Sequence, residues 1–371
     1  MTDFKFYPHS VVWEITFACN MRCIHCGTSA GKVRPGELTT DEALKLCDEL
    51  AALGTQWLTI SGGEPLLRRD WPQIARRALA NNIEIGIISN GYALDEQAAD
   101  TIAGIGFRNV GLSFDGTEKT HNYIRQREDS FKRVTHAMDL LHERKVRTCA
   151  VSQISNININ EMDQMRQILI DHHVNAWQIQ LTTTTGRMKG MADLILSLDN
   201  YPRLVDKLLE LREMPGLQIN VGENIGYYGC KGIELWDKQP YLGCYAGTRI
   251  MGIESDGTIK GCLSMPEDFV EGNIRDRSLT EIWNDPNGFA YNRKFTRESA
   301  EGPCRDCHYL PMCRGGCTTT SYAQTGCIAN NPYCIYQIEM KQGIMPPPDP
   351  EAIAEVLARF DGPPARQTGT E

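Results

Sequence analysis

The sequence predicts an α/β protein, a parallel sheet interleaved with helices and followed by a small cysteine-rich module. Three observations predict it. Short β-branched runs alternate with amphipathic stretches from residue 11 to 181. That alternation ends after a helical stretch at 201–212, and from residue 216 glycine, cysteine and short strands replace it. The 14 cysteines are clustered, three near the N-terminus and most of the others beyond residue 229.

Strands are expected at 11–16, 57–61, 83–89, 109–114, 146–152 and 176–181. Helices are expected between them at 40–53, 71–81, 96–105, 131–144 and 160–172. Leu44, Cys47, Leu50 and Ala51 recur at helical spacing in the first of these. Six β–α repeats argue for a parallel sheet, either curved into a partial barrel or laid open. Either form collects ligands at the carboxyl ends of its strands. Further on, 248–253 and 257–262 flank Glu-Ser-Asp-Gly and predict a β-hairpin, and 279–284 predicts a short helix. Residues 304–334 are too loop-rich to bury much core, and modules of that kind need metal ligation to fold. The Pro-Pro-Pro run after Met345 marks a linker, 350–360 reads as an amphipathic helix, and 361–371 as a disordered tail. The expected units are 1–215, a bridge at 216–243, the cysteine module at 244–340, and a linker and tail at 341–371.

A chain of 371 residues with 41% apolar content can bury a substantial core. Its 38 basic and 47 acidic residues leave a net charge of −9 and no basic block, which argues against nucleic-acid binding. The N-terminus has no apolar h-region and the chain no apolar run of membrane-spanning length, so a soluble cytoplasmic protein is expected. In a reducing compartment, clustered cysteines point to metal or redox chemistry. Cys47 and Cys149 lie in apolar-patterned segments and are read as core residues.

Cys19-x3-Cys23-x2-Cys26 follows the first strand. Thiolates ligate iron–sulfur clusters, normally four per cluster, so a set of three leaves one iron open. On spacing alone a zinc site completed by His25 or a distant residue is the alternative. Other residues bear on the choice. Ser61-Gly62-Gly63-Glu64-Pro65 ends the second strand, Ser89-Asn90-Gly91 the third, and Ser113-Phe114-Asp115-Gly116 the fourth, with His121 and Arg125 just beyond. Together with the cysteine triplet these resemble the radical S-adenosylmethionine (SAM) superfamily. The resemblance implies that Cys19, Cys23 and Cys26 hold a [4Fe–4S] cluster whose open iron is chelated by SAM. It also implies that Gly62, Gly63, Glu64 and Pro65 bind the methionine amino group, with Glu64 offering a carboxylate to the ammonium. Ser89, Asn90, Ser113 and Asp115 would line the ribose and methionine pockets, and Arg125 would meet the cosubstrate carboxylate.

The later cysteines run Cys244-x12-Gly257-x4-Cys262, then Cys304-x2-Cys307-x5-Cys313-x3-Cys317, then Cys334. This spacing resembles the SPASM extension of the same superfamily, so the resemblance covers roughly residues 10–340. It implies a partial (β/α)6 TIM-like barrel followed by a SPASM-type iron–sulfur domain with up to two auxiliary clusters. Cys304, Cys307, Cys313 and Cys334 would hold one, and Cys244, Cys262 and Cys317 the other. Where some members have a further cysteine, this chain has Ile250. Either Cys230 completes that set, or one iron stays open, or the cluster is of another type. Cys327 is read as a free thiol. A zinc ribbon is the alternative for the cysteine module taken by itself.

The implied chemistry is reductive cleavage of SAM to a 5′-deoxyadenosyl radical that abstracts hydrogen from a substrate. The substrate expected is a ribosomal peptide or protein, modified by crosslinking, oxidation or epimerisation. The alternatives are a sugar or other small metabolite, or a non-catalytic electron carrier. A flavodoxin- or ferredoxin-type reductant is implied. Because few residues precede the first strand, a leader peptide would need a separate binding protein or another surface. Leu263 stands where formylglycine-forming relatives carry a basic aspartate, which disfavours that activity. Cys230 or Cys327 is a candidate hydrogen-atom donor. Arg187 and Lys189 are candidate contacts for an acidic substrate, and Tyr227 and Tyr228 either line the pocket or pack.

Overall fold

The structure, a computed structural model, describes residues 6–191 and 194–344. The expected linker, the 350–360 helix and the tail lie outside the described residues. The strands are β1 (Ser10–Glu14), β2 (Trp57–Ser61), β3 (Glu84–Ser89), β4 (Asn109–Ser113), β5 (Thr148–Ile154) and β6 (Ala176–Leu181). The helices interleaved with them are α1 (Thr40–Ala52), α2 (Trp71–Ala80), α3 (Glu96–Ile105), α4 (Glu118–Arg125), α5 (Ser130–Glu143) and α6 (Met162–Asp171). Thr39 starts α1 through a capping box with Glu42, and Gly106 ends α3 at φ 89°, a left-handed position that suits glycine. The short helix α4 was not expected; its sequence, EKTHNYIR, is polar and carries no apolar stripe.

Helix α7 (Tyr201–Glu213) leads into β7 (Gln218–Val221), then α8 (Cys230–Leu235) and the strands β8 (Ile250–Ile253), β9 (Thr258–Lys260) and β10 (Val270–Asn273). All ten strands form one open sheet in the order β10-β9-β8-β1-β2-β3-β4-β5-β6-β7. Strands β1 to β7 pair in parallel, and β8 joins β1 in parallel, Ser10 opposite Ile250. The antiparallel β8–β9 hairpin is the one expected. Two features run past the expected units: β7, from the bridge, extends the barrel, and the cysteine module shares its sheet.

Strand alternation explains where the site lies. One face of the sheet carries Leu58, Ile60, Ile85, Ile87, Val110, Leu112, Ala150, Trp177 and Ile179, all buried under the helices. The other face carries Ser61, Ser113, Gln153 and Gln180, which line a cavity instead of filling it. Cys47 is fully buried in the first layer. Cys149 is half-buried and shares the inner face with Val151 and Gln153.

Charged groups fasten the module to the barrel. Glu14 on β1 accepts from Arg34 at 3.1 Å and from the Ser255 hydroxyl at 3.0 Å. Arg34 also reaches Glu254 at 3.3 Å, and Lys260 joins Glu254 at 2.6 Å and Glu267 at 2.8 Å. Among the described residues no helix is long and apolar enough to cross a membrane.

Candidate functional site

The triplet Cys19, Cys23 and Cys26 lies on the loop after β1, at the rim of a cavity of about 220 Å³. Strand ends supply the rest of the wall: Ser61 to Gly63 from β2, Ser89 and Asn90 from β3, Ser113 and Asp115 from β4, Gln153 from β5 and Gln180 from β6.

The two glycines permit a backbone zipper. Gly63 N–H donates to Thr16 O and Glu64 N–H to Ala18 O, both at 2.8 Å. A Cβ would sit 2.6 Å from Thr16 O at Gly62 and 2.4 Å from Ala18 O at Gly63. The β2 turn thus holds the chain immediately ahead of Cys19. Glu64 is fully buried and its carboxylate is committed. It accepts from Ser89 Oγ at 2.8 Å, Asn90 N at 2.8 Å and Leu66 N at 3.2 Å. Burial outweighs these bonds and lifts its pKa to about 7. Glu64 therefore shapes the cavity by fixing Ser89 and Asn90. Pro65 follows it in a buried turn. Asn90 in turn donates through Nδ2 to Asn20 at 2.8 Å, beside Cys19.

A second network supports Cys23. Asp115, fully buried, accepts from His25 Nε2 at 2.9 Å, Arg125 Nη2 at 2.5 Å and Gln153 N at 3.0 Å. Its own N–H donates to His121 Nδ1 at 3.2 Å. Burial favours neutral Asp115, but Arg125 and His25 outweigh it and hold the carboxyl well below its usual range. Burial pushes His121 down to about 3, so this ring is neutral. Arg125 also reaches Cys23 Sγ at 3.7 Å, placing a cation beside that sulfur. Arg187, expected at the mouth, lines the cavity and also clamps the cysteine loop: Nε donates to Cys23 O at 2.7 Å and Nη1 to Ala30 O at 3.1 Å. Lys189 is exposed.

The cysteine module holds two more thiol groups. Cys304, Cys307, Cys313 and Cys334 line a single small cavity with Tyr227 and Asn331. Cys244, Cys262 and Cys317 form the other group. Burial raises the pKa of all three; Cys262 adds to the shift at Cys244, and Cys244 and Cys262 add to it at Cys317. Three threonines opening the helix Thr318–Thr325 offset it, Thr318 at Cys244, Thr319 at Cys262 and Thr320 at Cys317. The sequence signal was the run Cys317-Thr318-Thr319-Thr320, which composition alone leaves unremarked.

Cys230 stands apart from this trio. It is exposed at the head of α8, and its N–H donates to Glu339 at 2.8 Å. Its charge acts on Tyr309, whose ring stacks on Tyr228 at 4.1 Å on the side of the other four thiols. Of the three alternatives for the trio, completion by Cys230 is the one these contacts do not favour, since Cys230 is absent from the leading influences on Cys244, Cys262 and Cys317. Cys327 is buried with its Sγ on Ser299 O at 3.7 Å. Neither of these cysteines lines the cavity at the strand ends, so neither is placed as a hydrogen donor.

Sequence reasoning missed Glu223. It follows β7 at the carboxyl edge of the sheet and acts electrostatically on Cys262, Tyr241 and Tyr245. Its side chain is open to solvent yet surrounded by protein, and burial raises its pKa. It has no ion-pair partner among the described residues.

Two family models match the chain. The Radical SAM superfamily model covers residues 13–171, and an iron–sulfur cluster-binding domain (SPASM) covers residues 244–308. The chain belongs to the radical SAM superfamily. This radical SAM/SPASM enzyme is 29% identical over 345 residues to the AdoMet-dependent heme synthase of Methanosarcina barkeri, spanning 89% of this chain and 97% of that one. It is 26% identical over 326 residues to mycofactocin maturase MftC of Mycobacterium tuberculosis, spanning 85% and 79% respectively. In fold it is similar to native anSMEcpe with bound AdoMet, at TM-score 0.69, 18% identity and coverage of 95% and 99%.

The enzyme accordingly uses a [4Fe–4S] cluster with SAM, and iron–sulfur in its SPASM domain. The residues present fit these groups. The donors are thiols gathered in sets of three, four and three. His25 Nδ1, Arg125 Nε and Arg187 Nη2 are buried without partners on cavity-lining residues, as a polar cosubstrate requires. Burial keeps free thiols protonated, Cys19 up to about 11 and Cys334 to about 12, so metal binding must release protons.

Proposed function

We propose that this enzyme modifies a peptide or protein. Cys19, Cys23 and Cys26 would hold the SAM-binding cluster, with Cys304, Cys307, Cys313 and Cys334 a second and Cys244, Cys262 and Cys317 a third. When bound, the first cluster and SAM supply radical hydrogen abstraction from unactivated carbon. The protein's own part is to position and to exclude water. Gly62 and Gly63 seat the cysteine loop, Glu64 fixes Ser89 and Asn90, and the Asp115–Arg125–His25 network sets Cys23.

The charge of the cleft carries the choice of substrate class. Glu223, just after β7, acts on the trio's Cys262 and has no ion-pair partner among the described residues, while Arg125 and Arg187 give most of their donors to Asp115, Cys23 and backbone carbonyls and leave one N–H group each for the cosubstrate. With a net charge of −9, such a cleft suits amide N–H groups and cationic side chains better than a polycarboxylate. The mycofactocin maturase relatives support this reading. The heme synthase relatives favour a second one, a small-molecule substrate of tetrapyrrole type.

The test is anaerobic turnover with SAM and a flavodoxin or ferredoxin reductant, offering a precursor peptide from the gene neighbourhood or an iron tetrapyrrole. A leader-binding partner is added in a parallel arm. The expected result is 5′-deoxyadenosine formation together with peptide that has lost two hydrogens or gained one solvent deuterium. Turnover confined to the tetrapyrrole would replace the first reading by the second.

A further inference from the structure

Tyr227 lies where the four-thiol group and the trio meet. Its ring lines the cavity of Cys304, Cys307, Cys313 and Cys334. Its phenol oxygen accepts from Cys317 N at 3.0 Å, so it grips the trio's own ligand loop. It accepts again from Asn331 Nδ2 at 3.1 Å. Both partners are donors, so the phenol proton has no oxygen or nitrogen acceptor among the described residues. The thiols in its electrostatic surroundings are Cys317 and then Cys313.

The chain accepts strain to put the ring there. Tyr227 has φ 84°, a left-handed backbone that an aromatic residue rarely adopts. Gly316, between Cys313 and Cys317, is shaped around it: a Cβ there would lie 2.5 Å from the Tyr227 ring. That glycine also has φ 76°. Ring and loop are thus fitted to each other between Cys313 of one group and Cys317 of the other.

We propose that Tyr227 is a shared positioning residue of the two auxiliary iron–sulfur sites, its oxygen holding the Cys317 loop and its O–H donating to sulfur of the four-thiol site. This rests on the ligand reading given above. A hydrogen bond to cluster sulfur favours the more negative, reduced state and raises the potential.

The test is redox titration of the reconstituted holoenzyme with electron paramagnetic resonance, wild type against Tyr227→Phe. With iron content kept, the four-thiol centre should fall in potential and the trio centre should change its spectrum. The SAM-binding centre should stay as it was. Should the Phe variant lose iron, Asn331→Asp gives the same readout with the ring retained. It keeps the Oδ1 that accepts from Tyr333 N–H and offers the phenol an acceptor in place of a donor, so the four-thiol potential should again fall. An unchanged four-thiol potential, or an unchanged trio spectrum, at full iron content overturns the proposal. A wild type with only one cluster's worth of iron would instead overturn the ligand reading.

Discussion

Single atoms decide much of the cavity at the strand ends. At Gly63 a methyl group would meet Ala18 O at 2.4 Å and Phe17 O at 2.7 Å, both backbone atoms. Gly63→Ala should therefore destabilise the fold by about 2–3 kcal/mol, the cost of forcing atoms into a packed site. It should also strip iron from the Cys19–Cys23–Cys26 site, because the displaced chain leads straight into Cys19. Chemical denaturation and iron analysis check both. Burial acts through protons at His121, held down at about 3. An unfolded histidine binds its proton near pH 6.5, so the unfolded chain takes up more protons than the folded one between about 6.5 and 3. Stability is thus present above that window and lost as pH falls through it. Asp115, also depressed, adds its loss below about pH 4. Glu64, raised to about 7, acts oppositely between its unfolded value and 7, favouring the folded state as pH falls. The three together predict a shallow stability change from pH 7 to about 4.5 and a steep loss below it. Thermal melts across pH check this, and His121→Gln should flatten the acid limb. The glycines, Glu64, Ser89, Asn90 and Asp115 were all legible as motif residues. Their division of labour was not, because Glu64's three donors and Asp115's clasp on Arg125 come from separate strand ends.

Among elements, the local repeats were legible and the long-range pairings were not. Apolar periodicity located β1 to β6 and the helices around them. It missed α4, whose polar sequence has no apolar stripe, and β7, whose four residues are too short to show alternation. It also missed the pairing of β8 with β1, a contact between Ser10 and Ile250 across the length of the chain. That seam is held by charges whose worth depends on burial. Lys260 is 2% exposed and bonds Glu254 and Glu267, whereas Glu267 is 77% exposed. Lys260→Met leaves the buried Glu254 with Arg34 as its remaining cation and removes a charged hydrogen bond, and should cost about 1.5–3 kcal/mol. Glu267→Gln removes a solvent-screened partner and should cost no more than about 1 kcal/mol. Urea titration of the two variants gives the comparison; equal losses would mean the seam is not set by the buried pair.

Over the whole molecule, the fold gathers three thiol groups, one at the cavity of the strand ends and two in the cysteine module. The trio lies beside Glu223 and shares Tyr227 with the four-thiol cavity. The cysteine spacings carried this grouping in the sequence, since ligands of one cluster must recur at short loop distances. They left Cys230 undecided, because a lone cysteine has no spacing to read. Its placement supplies the missing term: exposed at the head of α8, with its charge acting on Tyr309 and not prominent at Cys244, Cys262 or Cys317. Cys230→Ser should therefore leave total iron unchanged, at about four irons per cluster over the clusters present. Cys262→Ser removes a buried thiol from the trio and should lower total iron by up to about four, with the four-thiol centre retained. Iron analysis and spectroscopy of anaerobically reconstituted protein separate the cases. Iron loss in Cys230→Ser equal to that in Cys262→Ser would make Cys230 a ligand and require α8 to turn toward the trio on cluster binding. Retained iron would leave the trio with three cysteine ligands, the second of the alternatives that the sequence left open.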